Sequence, residues 1–278
     1  TERCNYKCLS CDCWRSNRFP TEMSLERWQQ ALAGLKRFLG RFAIQFSGGE
    51  PFVYKPFVAL VEWCAEHGID WGVISNGSAF SQGTVERIVA ARPTNVSVSV
   101  DGATSAVHDL SRGIDGSLRH VARGIALLRA ERDRRRQNFP IRIKATVHRL
   151  NFHEMPAVVP WAVNTGATSI DFSPVRPWTN EVEQILWLRE EDETALTQVV
   201  ETLIADRRAG APIEAEEARL RSFVNHFKGD VTLPSVAPCR AGMREFHILP
   251  NGDVRTCWFY DAIGNVAATD AKTLWKSP

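Results

Sequence analysis

The sequence predicts an α/β fold: a partial (β/α)6 TIM-like barrel followed by a small α+β module at the carboxyl end. Three observations carry this. Short apolar stretches alternate with helical-period stretches from Ser24 to Val175, the pattern of parallel strands joined by helical crossovers. Such right-handed crossovers, repeated, close into a full or partial barrel or an open wound sheet. The strands run into small or polar turns, SGGEP, SNGS, DG and SPVRP, and ligands of parallel sheets bind at the carboxyl ends of the strands.

The elements follow in order. Ser24 is an expected N-cap for a helix carrying Trp28, Leu32, Leu35 and Leu39 at helical spacing. AIQF (Ala43 to Phe46) reads as a short buried strand. A helix from Pro56 to His67 leads to the strand IDWGVI, and a further helix leads to VSVSV (Val96 to Val100). Asp115 and Ser117 are expected to cap the next helix, whose apolar face is Leu118, Val121, Ile125 and Leu128. IRIKATV (Ile141 to Val147) is a strand, followed by a helix near Glu154 to Val163. TSIDFSPV (Thr168 to Val175) is the last strand of the series. Beyond it, one long charged helix is expected over Glu190 to Arg208 and a second from about Glu214 to Phe227. GDVTLPSVAP reads as a linker, and a hairpin is expected around Pro250, Asn251 and Gly252. The expected boundaries are 1–188 for the barrel, 189–236 for a helical linker region and 237–278 for the small module.

Composition narrows the function. The 278 residues carry a formal net charge of +2, too balanced to imply nucleic acid or an anionic membrane as partner. No apolar run approaches the ~20 residues that span a bilayer. The seven cysteines are an odd number, in a chain large enough to fold on its core. They favour metal or cluster binding in a reducing cytoplasm over a disulfide framework.

Cys4, Cys8 and Cys11 stand in the spacing C-x3-C-x2-C. Three thiolates on one short loop can hold three irons of a cubane and leave the fourth iron open. A zinc knuckle with Cys13 as fourth ligand is the alternative on spacing alone. Ser47-Gly48-Gly49-Glu50-Pro51 follows the next strand, where glycines let backbone approach a ligand closely. Together these motifs resemble the radical S-adenosylmethionine (SAM) superfamily. The resemblance implies a 4Fe–4S cluster on Cys4, Cys8 and Cys11, with SAM on its open iron and Gly48, Gly49, Glu50 and Pro51 around the methionyl ammonium. It also implies SAM contacts from Ser75 and Asn76 of ISNGS, from Ser99 of VSVSVDG and from Arg112 of HDLSRG. The continuous motifs run from Cys4 to about Val175. Two departures stand out. Ser10 occupies the place before the third cysteine where many members have an aromatic residue. Only three residues precede Cys4, so a first barrel strand is expected to be missing and the chain to be part of a longer protein.

At the other end, Cys239 and Cys257 frame CRAGMREFHILPNGDVRTC. Twelve residues separate Cys239 from Gly252 and four separate Gly252 from Cys257, and DAIGNV follows. This resembles the SPASM/twitch extension of the same superfamily, an auxiliary-cluster module, and implies a further iron–sulfur cluster with Cys239 and Cys257 among its ligands. Cys64 reads as a buried small hydrophobe. Cys13 and Arg176 are the candidate catalytic residues, with Trp178 near Arg176. His148, His153 and His247 read as structural histidines.

The resemblance implies reductive cleavage of SAM to a 5′-deoxyadenosyl radical that takes a hydrogen atom from a substrate. The electron would come from a donor such as flavodoxin or ferredoxin. A ribosomally made peptide is the favoured substrate. A sugar or aminocyclitol dehydrogenase or epimerase is the alternative within the superfamily, and a non-catalytic zinc-binding module the alternative outside it.

Overall fold

A computed structural model describes residues 1–16, 18–229, 243, 245–257 and 260–276. Helix α1 (Leu25–Leu39) leads into β1 (Ala43–Phe46), α2 (Phe57–Glu66), β2 (Asp70–Ser75), α3 (Gln82–Ala90) and β3 (Asn95–Ser99). Then come α4 (Ser105–Arg112), α5 (Ser117–Arg134), β4 (Ile141–Val147), α6 (Met155–Thr165) and β5 (Ser169–Pro174). The five strands form one parallel sheet in sequential order, β1 to β5. Among the described residues a sixth position is a single parallel bridge, Ile170 to Ile213, on the far side of β5. The expected barrel is therefore five strands and one bridge.

Alternate strand residues supply the core. Trp71, Val73, Val96, Val98, Ile141, Ile143, Ile170 and Phe172 pack with Leu60, Val85, Ile88, Val121, Ile125, Leu128 and Val158 from the helices. Each such side chain, fully buried, contributes about 1.5–3 kcal/mol. The intervening residues, Gln45, Asn95, Ser97, Ser99, Arg142, Lys144, Thr146, Ser169, Asp171 and Ser173, form the other, polar face of the sheet.

Ser24 caps α1 as expected, accepting from the Arg27 N–H. Leu32 and Leu35 are buried, and Leu39, at the helix end, is 40% exposed. Two further helices, α4 and α7 (Asn180–Leu186), join the expected series. Thr104 caps α4, and Thr179 caps α7. The cap of α5 also differs from expectation. Asp109, from α4, accepts from Gly116 N–H (2.7 Å), Leu118 N–H (2.8 Å) and Ser117 Oγ (2.8 Å). A carboxylate nine residues upstream does the work expected of Asp115 and Ser117, because α4 turns back onto the start of α5.

The charged helix begins later than expected. A 3-10 turn at Glu190–Asp192 precedes α8 (Glu193–Arg208), and α9 spans Glu217–Phe227. Leu196, Val200, Leu203, Ile204, Leu220 and Phe223 of these helices join the barrel core. The carboxyl-terminal residues form the expected hairpin, β6 (His247–Ile248) and β7 (Asp253–Arg255), with β8 (Gly264–Asn265) completing a three-stranded antiparallel sheet, followed by α10 (Ala271–Trp275). Gly252 has φ +94° in the turn, a conformation glycine adopts without strain. The linker 230–238 and Cys239 lie outside the described residues.

Candidate cofactor and substrate site

The carboxyl ends of β1, β2 and β3 meet under the cysteine segment. Residues 1–16 contain no helix or strand, so their position comes from partners elsewhere. The Gly49 N–H donates to Thr1 O and the Glu50 N–H to Arg3 O, both at 2.9 Å, and the Leu9 N–H donates to Ser111 O at 3.0 Å. Asn5 receives a bond from Asn76 Nδ2 and donates to Ser78 Oγ, both at 2.9 Å. A Cβ on Gly48 would lie 2.2 Å from Thr1 O, and one on Gly49 2.2 Å from Arg3 O. Both glycines are thus required where the cysteine segment itself crosses the turn.

Glu50 is 1% exposed. Its carboxylate accepts from Ser75 Oγ (2.8 Å), Asn76 N–H (2.7 Å) and Phe52 N–H (3.2 Å). Burial pushes its carboxyl above the ordinary value against the pull of those three bonds. Glu50 therefore locks the SGGE turn to the end of β2, and Ser75 spends its hydroxyl on that lock. Pro51 is buried and opens a 3-10 turn. Asn76 Nδ2 also lies 4.0 Å from Cys4 Sγ. Ser99 is half-buried at the end of β3.

Arg112 ends α4 and is 8% exposed. Its guanidinium lies 3.2 Å from Asp101 and 3.6 Å from Cys8 Sγ. Burial alone would lower its pKa, but Asp101 and the thiols outweigh burial and hold it charged. Asp101 in turn accepts from the Thr146 N–H at 2.8 Å. The Asp101 N–H donates to His108 Nδ1, and Asn151 Nδ2 donates to Asp101 O. Glu154 accepts from the Ala103 and Thr104 N–H groups at the start of α4. His148 accepts from the Leu150 N–H and meets Ser111 Oγ at 3.2 Å, a structural histidine as expected. Asn151, Glu154 and His108, which hold the Asp101–Arg112 pair, were missed in the sequence because their partners lie up to 51 residues away.

The four amino-terminal thiols are not equivalent. Burial pushes Cys8 up to about 11 and also raises Cys4. Cys13 hydrogen-bonds to Cys11, lowering the Cys11 pKa and raising its own. Cys11, Asp12 and Cys13 bring ligand atoms within 4.8 Å of one another, whereas no such group among the described residues contains Cys4 or Cys8. A tetrahedral zinc with bonds of ~2.3 Å needs its sulfurs roughly 3.8 Å apart. Among the described residues, Cys4, Cys8, Cys11 and Cys13 do not gather into one such group. Cys4, Cys8 and Cys11 are soft donors of the kind that holds an iron–sulfur cluster, and the buried Arg112 Nε beside them has no hydrogen-bond partner.

Other expected residues lie on other segments of the chain. Arg176 and Trp178 are exposed in the segment after β5. Cys64 is buried in the core on α2, and burial pushes its thiol up to about 12. Cys257 is half-buried after β7. Surface cavities of 510 Å³, at Lys36, Gly40, Arg41, Gly68 and Asp70, and 390 Å³, between α8 and α9, touch none of the cradle residues.

The radical SAM superfamily profile matches residues 1–137. The PqqA peptide cyclase of Rhodopseudomonas palustris is 26% identical over 262 residues, 92% of this chain and 65% of the relative. The AdoMet-dependent heme synthase of Methanosarcina barkeri is 26% identical over 170 residues, 61% of this chain and 47% of the relative. The chain thus spans less than two-thirds of the length of either. The crystal structure of Streptococcus suis SuiB bound to precursor peptide SuiA matches with TM-score 0.75 at 17% identity, over 99% of this chain and 62% of that one. The parallel sheet is the fold these structures share, and residues 1–137 carry a radical SAM superfamily domain.

Proposed function

We propose that this chain is the catalytic part of a radical SAM enzyme that modifies a ribosomally made peptide. The observation that carries the chemistry is the cradle: three thiols over the carboxyl ends of parallel strands, with the Arg112–Asp101 pair 3.6 Å from Cys8. The family's cofactors are SAM and a 4Fe–4S cluster, and Cys4, Cys8 and Cys11 are the residues to hold the cluster. When bound and reduced, the two supply a 5′-deoxyadenosyl radical that abstracts a hydrogen atom from substrate. The chain's own residues position and shield. Glu50 fixes the glycine turn, Asn76 reaches the cysteine segment, and Gly48, Gly49, Pro51, Ser75 and Ser99 line the strand ends where SAM would lie. Arg112 keeps a positive charge beside Cys8, suited to an anionic cluster or the SAM carboxylate. Cys13 and Arg176 remain candidates for contact with the reacting groups.

The peptide reading rests on extent of similarity: a relative named as a peptide cyclase aligns over 92% of the chain, the heme synthase over 61%. Residues 237–278 are proposed as a SPASM/twitch-like module with an auxiliary iron–sulfur cluster on Cys239 and Cys257, after the barrel of 1–188 and the helices of 189–236. Flavodoxin or ferredoxin is the proposed electron donor and the cytoplasm the proposed site of action. Among the described residues no helix is long and apolar enough to cross a membrane.

The test is anaerobic reconstitution, reduction and addition of SAM, with and without the product of any short reading frame beside the gene. Formation of 5′-deoxyadenosine and a changed peptide mass are expected. An intact cluster that yields no 5′-deoxyadenosine contradicts the chemistry. 5′-Deoxyadenosine with no change in any such peptide contradicts the substrate class.

A further inference from the structure

The polar face of the sheet carries a charged row that the cofactor cradle does not use. In the parallel register Ser99 of β3 pairs with Lys144 of β4, and Lys144 pairs with Asp171 of β5. All three side chains therefore share one face and one row. At about 4.8 Å between neighbouring strands, Lys144 lies about 5 Å from Ser99 along the row and Asp171 about 10 Å.

Lys144 Nζ donates to Asp171 Oδ2 at 3.0 Å. Arg219, reaching over from α9, lies 3.6 Å from Asp171 Oδ1 and donates from Nη2 to Ser173 Oγ at 2.8 Å. The Asp171 side chain is 10% exposed, that of Lys144 35% and that of Arg219 38%. The carboxylate is thus buried beneath two half-open cations, and its Oδ1 and the Arg219 Nε are buried with no hydrogen-bond partner. One row toward the amino ends of the strands, Arg142 and Glu214 pair at 2.6 Å. Three cations face two carboxylates, leaving one positive charge in excess. Lys144 has three N–H donors and Arg219 five, of which the protein engages only some.

We propose that Lys144 and Arg219, set by Asp171, form a subsite for a substrate carboxylate beside the place where the hydrogen atom is taken. The ammonium and the guanidinium offer a carboxylate charge-assisted bonds from two sides, and the excess positive charge is neutralised when it binds. The carboxylate can belong to an acidic side chain of the peptide or to its free carboxyl terminus. The inference rests on the peptide reading above and names a feature of that substrate.

The experiment uses ligand-observed NMR on the reconstituted, unreduced chain with three tripeptide probes: acetyl-Ala-Glu-Ala-amide, acetyl-Ala-Ala-Ala with a free carboxyl terminus, and acetyl-Ala-Gln-Ala-amide. The proposal expects one or both carboxylate probes to bind at least about tenfold tighter than the glutamine probe, and which one does so identifies the source of the carboxylate. Arg219→Gln and Lys144→Gln are each expected to erase that preference. Arg219 is half-exposed on a helix, so its variant keeps the test decisive if Lys144→Gln fails to fold. Equal affinity for all three probes, no binding of any, or an unchanged preference in Arg219→Gln overturns the proposal. 5′-Deoxyadenosine formation by the same wild-type sample reports separately on the radical chemistry, so its loss and the loss of carboxylate preference are distinct outcomes.

Discussion

The two cysteine-bearing regions are built in opposite ways. The amino-terminal segment has no regular structure, yet its backbone is tied to the turn after β1 and to the end of α4, and its Asn5 side chain to Asn76 and Ser78. Its order is borrowed from a sheet that is buried and continuous. The carboxyl-terminal residues bring their own scaffold, a three-stranded sheet and α10, and dock by the Met23 N–H on Pro250 O and by Trp275 between Phe38 and Phe246. A loop fixed at strand ends keeps its thiols near whatever binds there, while Cys257 follows β7 of the small sheet. The position of reactive groups here follows from where a loop's backbone finds partners, not from the regularity of the loop.

The largest effect separates the thiols. Cys4→Ala, Cys8→Ala and Cys11→Ala are each expected to abolish iron binding at the amino-terminal site and 5′-deoxyadenosine formation. Cys64→Ala, in the core, should leave both and cost about 1 kcal/mol of stability. Iron and sulfide analysis with product chromatography checks this, and retained chemistry in Cys8→Ala breaks the comparison.

Next comes the borrowed order itself. Ala at 49 would press its Cβ to 2.2 Å from Arg3 O and 2.4 Å from Glu2 O. Gly49→Ala should cost about 1–3 kcal/mol and lower the iron retained, measured by thermal unfolding and metal analysis, with no change in the carboxyl-terminal sheet.

A pH dependence follows from His108 and His148, both pushed down to about 4, first by burial and, for His108, next by Arg112. Unfolded, each titrates near 6.5, so the unfolded chain binds more protons between the two values. Stability is full above about pH 6.5 and falls toward pH 4 by about 1.4 kcal/mol per pH unit for each histidine. Denaturant midpoints across that range check it, and a flat profile contradicts it. The smallest effect is Asp109→Ala, which removes the cap of α5 and should cost about 1–2 kcal/mol, read by the same midpoints.

Much of the barrel was legible because its strands, VSVSV and IRIKATV among them, are short stretches with apolar residues at alternate positions between helices of clear period. The cysteine and glycine motifs were legible because both are local. What escaped were the long-range ties. Nothing near Gly49 in sequence announces Arg3 or Thr1 as the atoms it must admit, and Asp109 caps a helix that seemed to carry its own Asp115 and Ser117. The Ser99–Lys144–Asp171 row spans three strands and exists only once the register is known. Glu50 looked like an acceptor for a ligand ammonium, whereas the structure shows its carboxylate bonded by Ser75, Asn76 and Phe52.

The most direct test of the cradle is the electron paramagnetic resonance spectrum of the anaerobically reconstituted, reduced protein with and without SAM. Three thiol ligands leave one iron open, so the account predicts an iron–sulfur signal that changes when SAM is added and is absent in Cys8→Ala. A protein that takes up zinc in place of iron, or a cluster signal indifferent to SAM, would contradict it.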